Sequence, residues 1–342
     1  MMKRNQNFDF IKIVSSLMVV CLHAPFPGNI GAAITSLNRV AVPLFFMITG
    51  YYYTHTKEQQ NERKQLKKIF GLFVKANVLY LIITCILGWL YHQSVITFLL
   101  SKLNVRSILF FVFLNESPFG LHLWYLGAIL YVLLIVYFFE KRWSRQKLYP
   151  AISLLLLANL VLGRYAPLVL GQSLKFVWSR NFLFAGLPYF LLGDLIYTRK
   201  ITMKPAQAAL LALFFGCTTV VEQQVTDVFL PGGVCDHYFS TAFLAFFIFL
   251  TAVQYRCQCN HKIWHILCDF GAALYTDVYI LHIGIMNFLD IAVPYLCCIV
   301  PISGVYNHIK PILIFLCTIV PAWILHRFKR RTRSMFALSK RV

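Results

Sequence analysis

Apolar stretches of about 17–25 residues recur along this chain, and they leave little room for anything except membrane-spanning helices. Inside a bilayer every backbone N–H and C=O must find a partner within its own segment, so stretches of that length are helical. Ten such windows stand out, at residues 8–25, 39–55, 69–91, 121–140, 148–170, 179–198, 205–222, 237–255, 264–290 and 308–327. The window 264–290 is long and holds Gly271, which predicts a tilt or a break. The stretch 94–114 is interrupted by Lys102, Asn104 and Arg106 and reads as an interfacial or re-entrant helix rather than a further span. Composition agrees: 59% of residues are hydrophobic and 13% charged, against about 25% charged in soluble domains. The expected fold class is therefore all-α, a polytopic membrane helical bundle of about ten transmembrane helices. The longest connection, roughly 56–68, is a charged linker, and no repeat or low-complexity tract appears. Residues 1–342 read as a single integral-membrane domain, with 328–342 as a basic cytoplasmic tail.

The net charge of +20 would suggest a nucleic-acid partner in a soluble protein. Here topology accounts for it, and no nucleic acid is expected. With ten spans and a cytoplasmic N-terminus, 24 of the 32 Lys and Arg residues fall on inner segments, seven on outer ones, and Lys12 within the first span. The positive-inside rule then predicts both termini on the cytoplasmic side. An eleventh span would put the seven basic residues of the tail outside. Lys3 and Arg4 precede an apolar run as they would in a signal peptide, but no A-x-A-like site follows, so the first span is expected to be uncleaved.

The first span is unusual. Asp9, Lys12, Ser16 and His23 interrupt DFIKIVSSLMVVCLH. At about 100° per residue Lys12 and His23 fall within roughly 20° of each other, so the four polar groups form one stripe. The rise separates Lys12 from His23 by about 16 Å, roughly half the hydrocarbon thickness. The two cannot touch, but they could line two levels of one cavity. Ionisable groups in a membrane are costly and by default mark function. The plainer alternative is an Asp9–Lys12 pair at one surface and His23 at the other.

Further polar features follow at intervals. PLFFMITGYYY, Pro43 to Tyr53, places Gly50 after Thr49, which allows a break or a close helix approach. Arg63, Lys64, Lys67 and Lys68 stand at helical spacing before the third span. They suit anionic membrane lipid, and equally the phosphates of an anionic cofactor. Lys75 lies deeper. His122-Leu123-Trp124-Tyr125 opens the fourth span, Arg180 and Asn181 open the sixth, and Asp277, Tyr279, His282 and Asn287 lie in the ninth. An unperturbed histidine is uncharged at pH 7, so His23 could take a proton from a hydroxyl, with Asp9 or Lys12 to orient or tune it. Cys257, Cys259 and His261 lack the spacing and fourth ligand of a zinc site, so no metal is expected. Cys235 could reach Cys297 or Cys298 on the outer face. No G-x-S-x-G, H-E-x-x-H or Walker motif is present.

Taken together these residues resemble the acyltransferase 3 family of bacterial integral-membrane O-acyltransferases. The carriers are Asp9-x-x-Lys12 leading to His23, PLFFMITGYY, the basic run before the third span, HLWYLGAILY, RNFLFAGLPYFLLGDLI and YTDVYILHIGI. Lys12 stands where the family has arginine, which keeps the charge but loses bidentate donation. The paired arginines before the third helix are here a mostly lysine run. The resemblance is also close to the membrane domain of vancomycin-resistance serine racemases, although no racemase domain follows in this sequence.

The resemblance implies a multi-pass protein of the bacterial cytoplasmic membrane. It implies transfer of an acyl group, usually acetyl, from cytoplasmic acyl-CoA to a hydroxyl of a cell-surface or exported glycan, with acetyl-CoA as co-substrate. His23 would be the general base. Lys12, Arg63, Lys64, Lys67 and Lys68 would face the donor. Thr49 would lie close to the site, and Trp124, Arg180, Asn181 and His282 would serve the acceptor side. Two other readings stay open on the residues alone: a transporter that uses the same stripe as a path for a small polar solute, and a non-catalytic membrane scaffold.

Overall fold

The computed structural model describes residues 4–231, 236–255, 261–297 and 303–339, and every regular element among them is helical. The Cys257–Cys259 pair and the Cys235 to Cys298 pairing lie outside the described residues. The chain divides into two compact units. One is the central stretch Val42–Gln254; the other joins Lys3–Ala41 to Tyr255–Val342.

The terminal unit is built on α1 (Gln6–His23), α2 (Gly28–Asn38), α14 (Lys262–Cys297) and α15 (Ser303–Ser339). Asn5 caps α1 by accepting from the Asn7 amide at 2.9 Å. The helix ends at His23 because Ala24 precedes Pro25 and leaves the helical region, with φ −130° and ψ 79°. α1 packs on α14, and α14 on α15. Val20 and Ala24 meet Ile314, while Leu274 and Val278 meet Ala322. The α1–α14 contact is close because of Gly271: a Cβ there would lie 1.7 Å from the Asp9 carbonyl oxygen. α14 runs unbroken through that glycine. Of the two expectations at Gly271, a break is excluded.

The central unit holds the remaining helices. These are α3 (Ala41–Glu58), α4 (Glu62–Leu90), the short pair α5 (Val95–Lys102) and α6 (Val105–Leu114), α7 (Trp124–Phe139), α8 (Ala151–Leu162), α9 (Ala166–Leu170), α10 (Phe176–Ser179), α11 (Leu187–Thr198), α12 (Pro205–Phe229) and α13 (Phe239–Gln254). A π-helical turn, Phe182–Gly186, leads into α11. α3 and α11 also meet at glycines. A Cβ on Gly50 would lie 1.9 Å from the Phe190 carbonyl oxygen, and one on Gly193 2.0 Å from that of Met47. Gly50 thus serves close approach, and α3 continues past it. Between α12 and α13, Phe215 stacks on Phe243 at 4.9 Å and on Phe247 at 5.5 Å.

α4 shows what solvent these helices are made for. Ala76, Tyr80, Thr84 and Gly88 form its buried row, at a spacing of one helical turn. Val74, Val78, Ile82 and Ile86 form the opposite row, and each is more than 40% exposed. A helix that turns small and polar groups inward and branched aliphatics outward is arranged for lipid.

Six stretches are long and apolar enough to cross a membrane: Gly28–Glu58, Glu62–Leu90, Leu121–Phe139, Pro205–Phe229, Lys262–Pro294 and Val305–Arg331. A seventh results if α5 and α6, bent by 52° at their break, are one span. The four other expected windows are helical too. They fall short in length or uniformity: α1 carries Asp9 and Lys12, the window 148–170 splits into α8 and α9, and Phe182–Thr198 and Phe239–Gln254 are shorter apolar helices.

Candidate active site

The polar stripe of α1 resolves into two separate levels within the terminal unit. At the lower level Asp9 is nearly buried and accepts from both neighbours, Arg4 Nε at 2.5 Å and Lys12 Nζ at 2.9 Å. Arg4 also bonds Asp269 at 2.8 Å and the Cys268 carbonyl at 3.1 Å, which ties the start of α1 to α14. The hydrogen bond to Asp9 is the main reason the Arg4 guanidinium is raised above its ordinary value. Lys12 Nζ stands over the Tyr275 ring, 5.4 Å from its centroid, a cation–π contact that holds the ammonium against α14. Ser16 turns its hydroxyl back to the Lys12 carbonyl at 2.8 Å.

At the upper level is His23. Its ring centroid lies 5.2 Å from that of His282 on α14. His282 is buried, and its Nδ1 lies 2.7 Å from the Tyr279 carbonyl oxygen. Asp9 is fourteen residues below His23, about 21 Å along the helix. It therefore bonds Lys12 and Arg4, whereas the partner ring of His23 is His282.

The central unit carries the other expected residues in three places. Arg63, Lys64, Lys67 and Lys68 are all exposed on the first turns of α4, and Arg63 Nε donates to the Tyr137 hydroxyl at 2.9 Å. Thr49 bonds back to the Phe45 carbonyl at 3.0 Å inside α3. Arg180 packs over Trp124 at 5.7 Å and over Phe176 at 4.8 Å. Asn181 is fully engaged with backbone. Its Nδ2 donates to the Val177 and Trp178 carbonyls, each at 3.0 Å, and its Oδ1 accepts from the amides of Leu183 at 2.9 Å and Phe184 at 3.1 Å. Asn181 thus caps the π-helical turn and fixes the backbone beside Arg180.

Two features of this unit are not apparent in sequence. Glu116, in the connection after α6, is half-buried. Burial pushes its carboxyl above the usual range, against the pull of Arg180, Lys175 and Arg106. The second is a buried ionic network around Arg145, in the connection after α7. Its Nε bonds Asp194 at 2.7 Å and its Nη1 bonds Glu140 at 2.6 Å, while Nη2 donates to Thr54. Lys57 joins at 2.9 Å from Glu140, and Tyr149 donates to Asp194 at 2.7 Å. Loop arginines carry no periodic signal, so only tertiary contact reveals this one.

A sequence profile described as an acyltransferase domain, that of the acyltransferase 3 family, matches residues 5–327. The chain belongs to the acyltransferase 3 family. Two curated proteins are similar over part of their length. One is the "Serine/alanine racemase" of Enterococcus gallinarum, 29% identical over 140 residues, which are 37% of this chain and 18% of that protein. The other is the "Amino-acid racemase" of Enterococcus faecalis, 31% identical over 154 residues, 40% of this chain and 20% of that protein. The matches thus span about a fifth of the length of these relatives. No solved structure gives a significant match. The acyltransferase 3 match covers both levels of the α1 stripe, the basic turns of α4 and the Arg180–Trp124 pair. Among the described residues no group of three or more His, Cys, Asp or Glu could hold a metal ion.

Proposed function

We propose that this acyltransferase 3 protein is a membrane O-acyltransferase, moving an acyl group, acetyl first among the candidates, from acyl-CoA to a hydroxyl of a cell-surface or exported glycan. The observation that carries the reading is the separation of charge from base along α1. Lys12 is held by Asp9 and Tyr275, and His23 stands beside a second histidine, half a bilayer away.

In the proposed reaction His23 takes the proton of the acceptor hydroxyl as the oxygen bonds the thioester carbonyl carbon. The carbon–sulfur bond breaks, the proton passes to the CoA thiolate, and the products are the ester and free CoA. Cations suit the donor's phosphates, and the exposed run Arg63, Lys64, Lys67 and Lys68 on α4 supplies four of them. In the acceptor role an aromatic face and a planar cation suit a sugar ring and its hydroxyls, and Trp124 with Arg180 offers that pair, with Glu116 nearby as a third polar group.

The test is turnover of labelled acetyl-CoA by purified protein in detergent or nanodiscs, beside His23→Ala. Label transfer or CoA release that is lost in the variant, with normal insertion and folding, supports the reading. Undiminished turnover by folded His23→Ala protein overturns the mechanism.

A further inference from the structure

In the terminal unit Arg4, Lys12, Lys310 and Lys329 each meet a carboxylate. Arg4 and Lys12 share Asp9, Lys310 lies 2.7 Å from Asp290 and Lys329 2.6 Å from Asp277. Arg39 departs from this pattern. It is only partly exposed, its Nε is buried without a hydrogen-bond partner, and among the described residues no carboxylate or aromatic ring meets its guanidinium. Its neighbour Asn38 is 5% exposed, and the Nδ2 of that side chain is also buried and unpaired. The two residues stand at the joint between α2 and α3, with Val40 and Ala41 fully buried just beyond. α2 and α3 together make Gly28–Glu58, a stretch apolar enough to cross a membrane. Arg39 lies eleven residues into it, about 16 Å along the helix from Gly28.

A guanidinium does not shed its proton in a protein, so Arg39 cannot escape this setting by becoming neutral. An ionised group drawn out of water is costly unless it is paired. Within a membrane such groups pair or line a cavity, and they mark function by default. The unpaired atoms here are all donors: the Nε–H of Arg39 and the Nδ2 hydrogens of Asn38. Donors that carry a positive charge select a ligand that accepts and is negative. We propose that Arg39, with Asn38 beside it, is the binding site for an oxyanion, a carboxylate or a phosphate. The Nε–H and one Nη–H of an arginine form a fork that matches two oxygens of such a group. The Asn38 amide supplies a further donor. A neutral hydroxyl would satisfy a hydrogen bond but leave the charge uncompensated. The same oxygens come from two sources, a soluble anion or the headgroup of an anionic phospholipid. The site goes beyond the acyl-transfer reading and does not depend on it.

The experiment follows thermal unfolding of the full chain, delipidated in dodecyl maltoside, a detergent with neither charge nor phosphate. The probes are sodium acetate, inorganic phosphate, and phosphatidylglycerol added to the micelles, with sodium chloride at matched ionic strength as the control. At least one probe should raise the wild-type midpoint with the saturating dependence of single-site binding. Arg39→Met keeps the aliphatic stem and should weaken that binding about tenfold or more. Arg39→Lys keeps the charge without the fork and should retain part of the response. A response to acetate or phosphate assigns the site to a soluble oxyanion, and a response to phosphatidylglycerol alone assigns it to a lipid headgroup. The probe-free comparison separates ligand binding from a structural role. Removing a cation that has no partner should leave the Arg39→Met midpoint at or above that of the wild type, because no carboxylate is stranded by the change. Three results overturn the proposal. The first is that no probe stabilises the wild type beyond the chloride control. The second is that Arg39→Met responds to the probes as the wild type does. The third is that Arg39→Met falls below the wild type without any probe, since Arg39 would then already have its anion within the chain.

Discussion

Gly271 bears directly on Asp9: a β-carbon at Gly271 would stand 1.7 Å from the Asp9 carbonyl oxygen and 3.3 Å from the Ile13 amide nitrogen. Both obstacles are backbone, so neither can swing aside. This contact sets the register of α1 on α14. From it, Lys12 comes to Tyr275 and, further along the same two helices, His23 comes to His282. Gly271→Ala should therefore force the helices apart at a cost of about 3 kcal/mol. It should also misalign both polar levels at once. Thermal unfolding in detergent, with acetyl-CoA turnover at a permissive temperature, measures both. Wild-type stability and turnover in Gly271→Ala protein would mean the close crossing does not exist.

Arg145 serves three acceptors with three different nitrogens, and Asp194 beneath it has no exposed side-chain surface. Arg145→Met leaves that carboxylate buried without its cation, which should destabilise the protein by about 3–5 kcal/mol. Adding Asp194→Leu removes the stranded charge and should recover a large part of the loss. A double variant no more stable than the single one would show that the ion pair is not what the network protects. Midpoints of chemical or thermal unfolding settle the comparison.

The same network predicts an acid limit. Burial alone would raise the Glu140 carboxyl, but hydrogen bonds from Lys57 and Arg145 outweigh it and leave the group below its ordinary value of 4.5. A carboxyl lowered in the folded state adds stability that is complete above that ordinary value and is lost as the pH falls through the lowered one. Unfolding temperature should therefore be insensitive to Glu140 between pH 7 and about 5, and should fall below that. Glu140→Gln should be less stable than wild type at neutral pH, with a shallower acid slope. Parallel slopes for the two proteins would refute the assignment.

On α4 the exposed positions of Arg63, Lys64, Lys67 and Lys68 predict a binding effect separate from the chemistry. Replacing all four with Gln should raise the KM for acetyl-CoA on the order of tenfold, with kcat nearly unchanged. Because the groups are exposed, the difference from wild type should shrink as salt is raised. Steady-state kinetics at two ionic strengths test this. A fall in kcat at constant KM would assign the cluster some other task.

Much of this was readable from the order of residues. Hydropathy locates all ten helical windows, because lipid imposes one length and one secondary structure. It does not separate long helices from short ones. In 148–170 the break at Gly163 to Tyr165 is marked only by Gly163 and Pro167, which a hydropathy window averages away, and nothing local announces that Phe182–Gly186 winds as a π turn capped by Asn181. At the site, periodicity correctly puts Asp9, Lys12 and Ser16 on one face, since one helix fixes their relations. The Lys12–Tyr275 and His23–His282 contacts join residues some 260 positions apart, and no single-chain pattern encodes such a pairing. The same holds for Arg145. Its sequence neighbourhood is an ordinary charged turn, and only the packing of α3 and α11 through Gly50 and Gly193 brings Thr54 and Asp194 to it. The role of Asn181 was invisible for the opposite reason, because its partners are backbone atoms that any sequence supplies.

Glu222 accepts from the amides of Phe239 at 2.5 Å and Ser240 at 2.9 Å. The carboxylate of one helix thus holds the first two donors of the next, while the third, the Thr241 amide, bonds the Tyr238 carbonyl just ahead of the helix. The beginning of α13 is thereby fastened to α12 itself, and the residues just ahead of it, Asp236, His237 and Tyr238, are buried as well. Removing the Glu222 carboxylate therefore strands two amide donors at once, and the start of α13 is where Glu222→Ala protein should fray first.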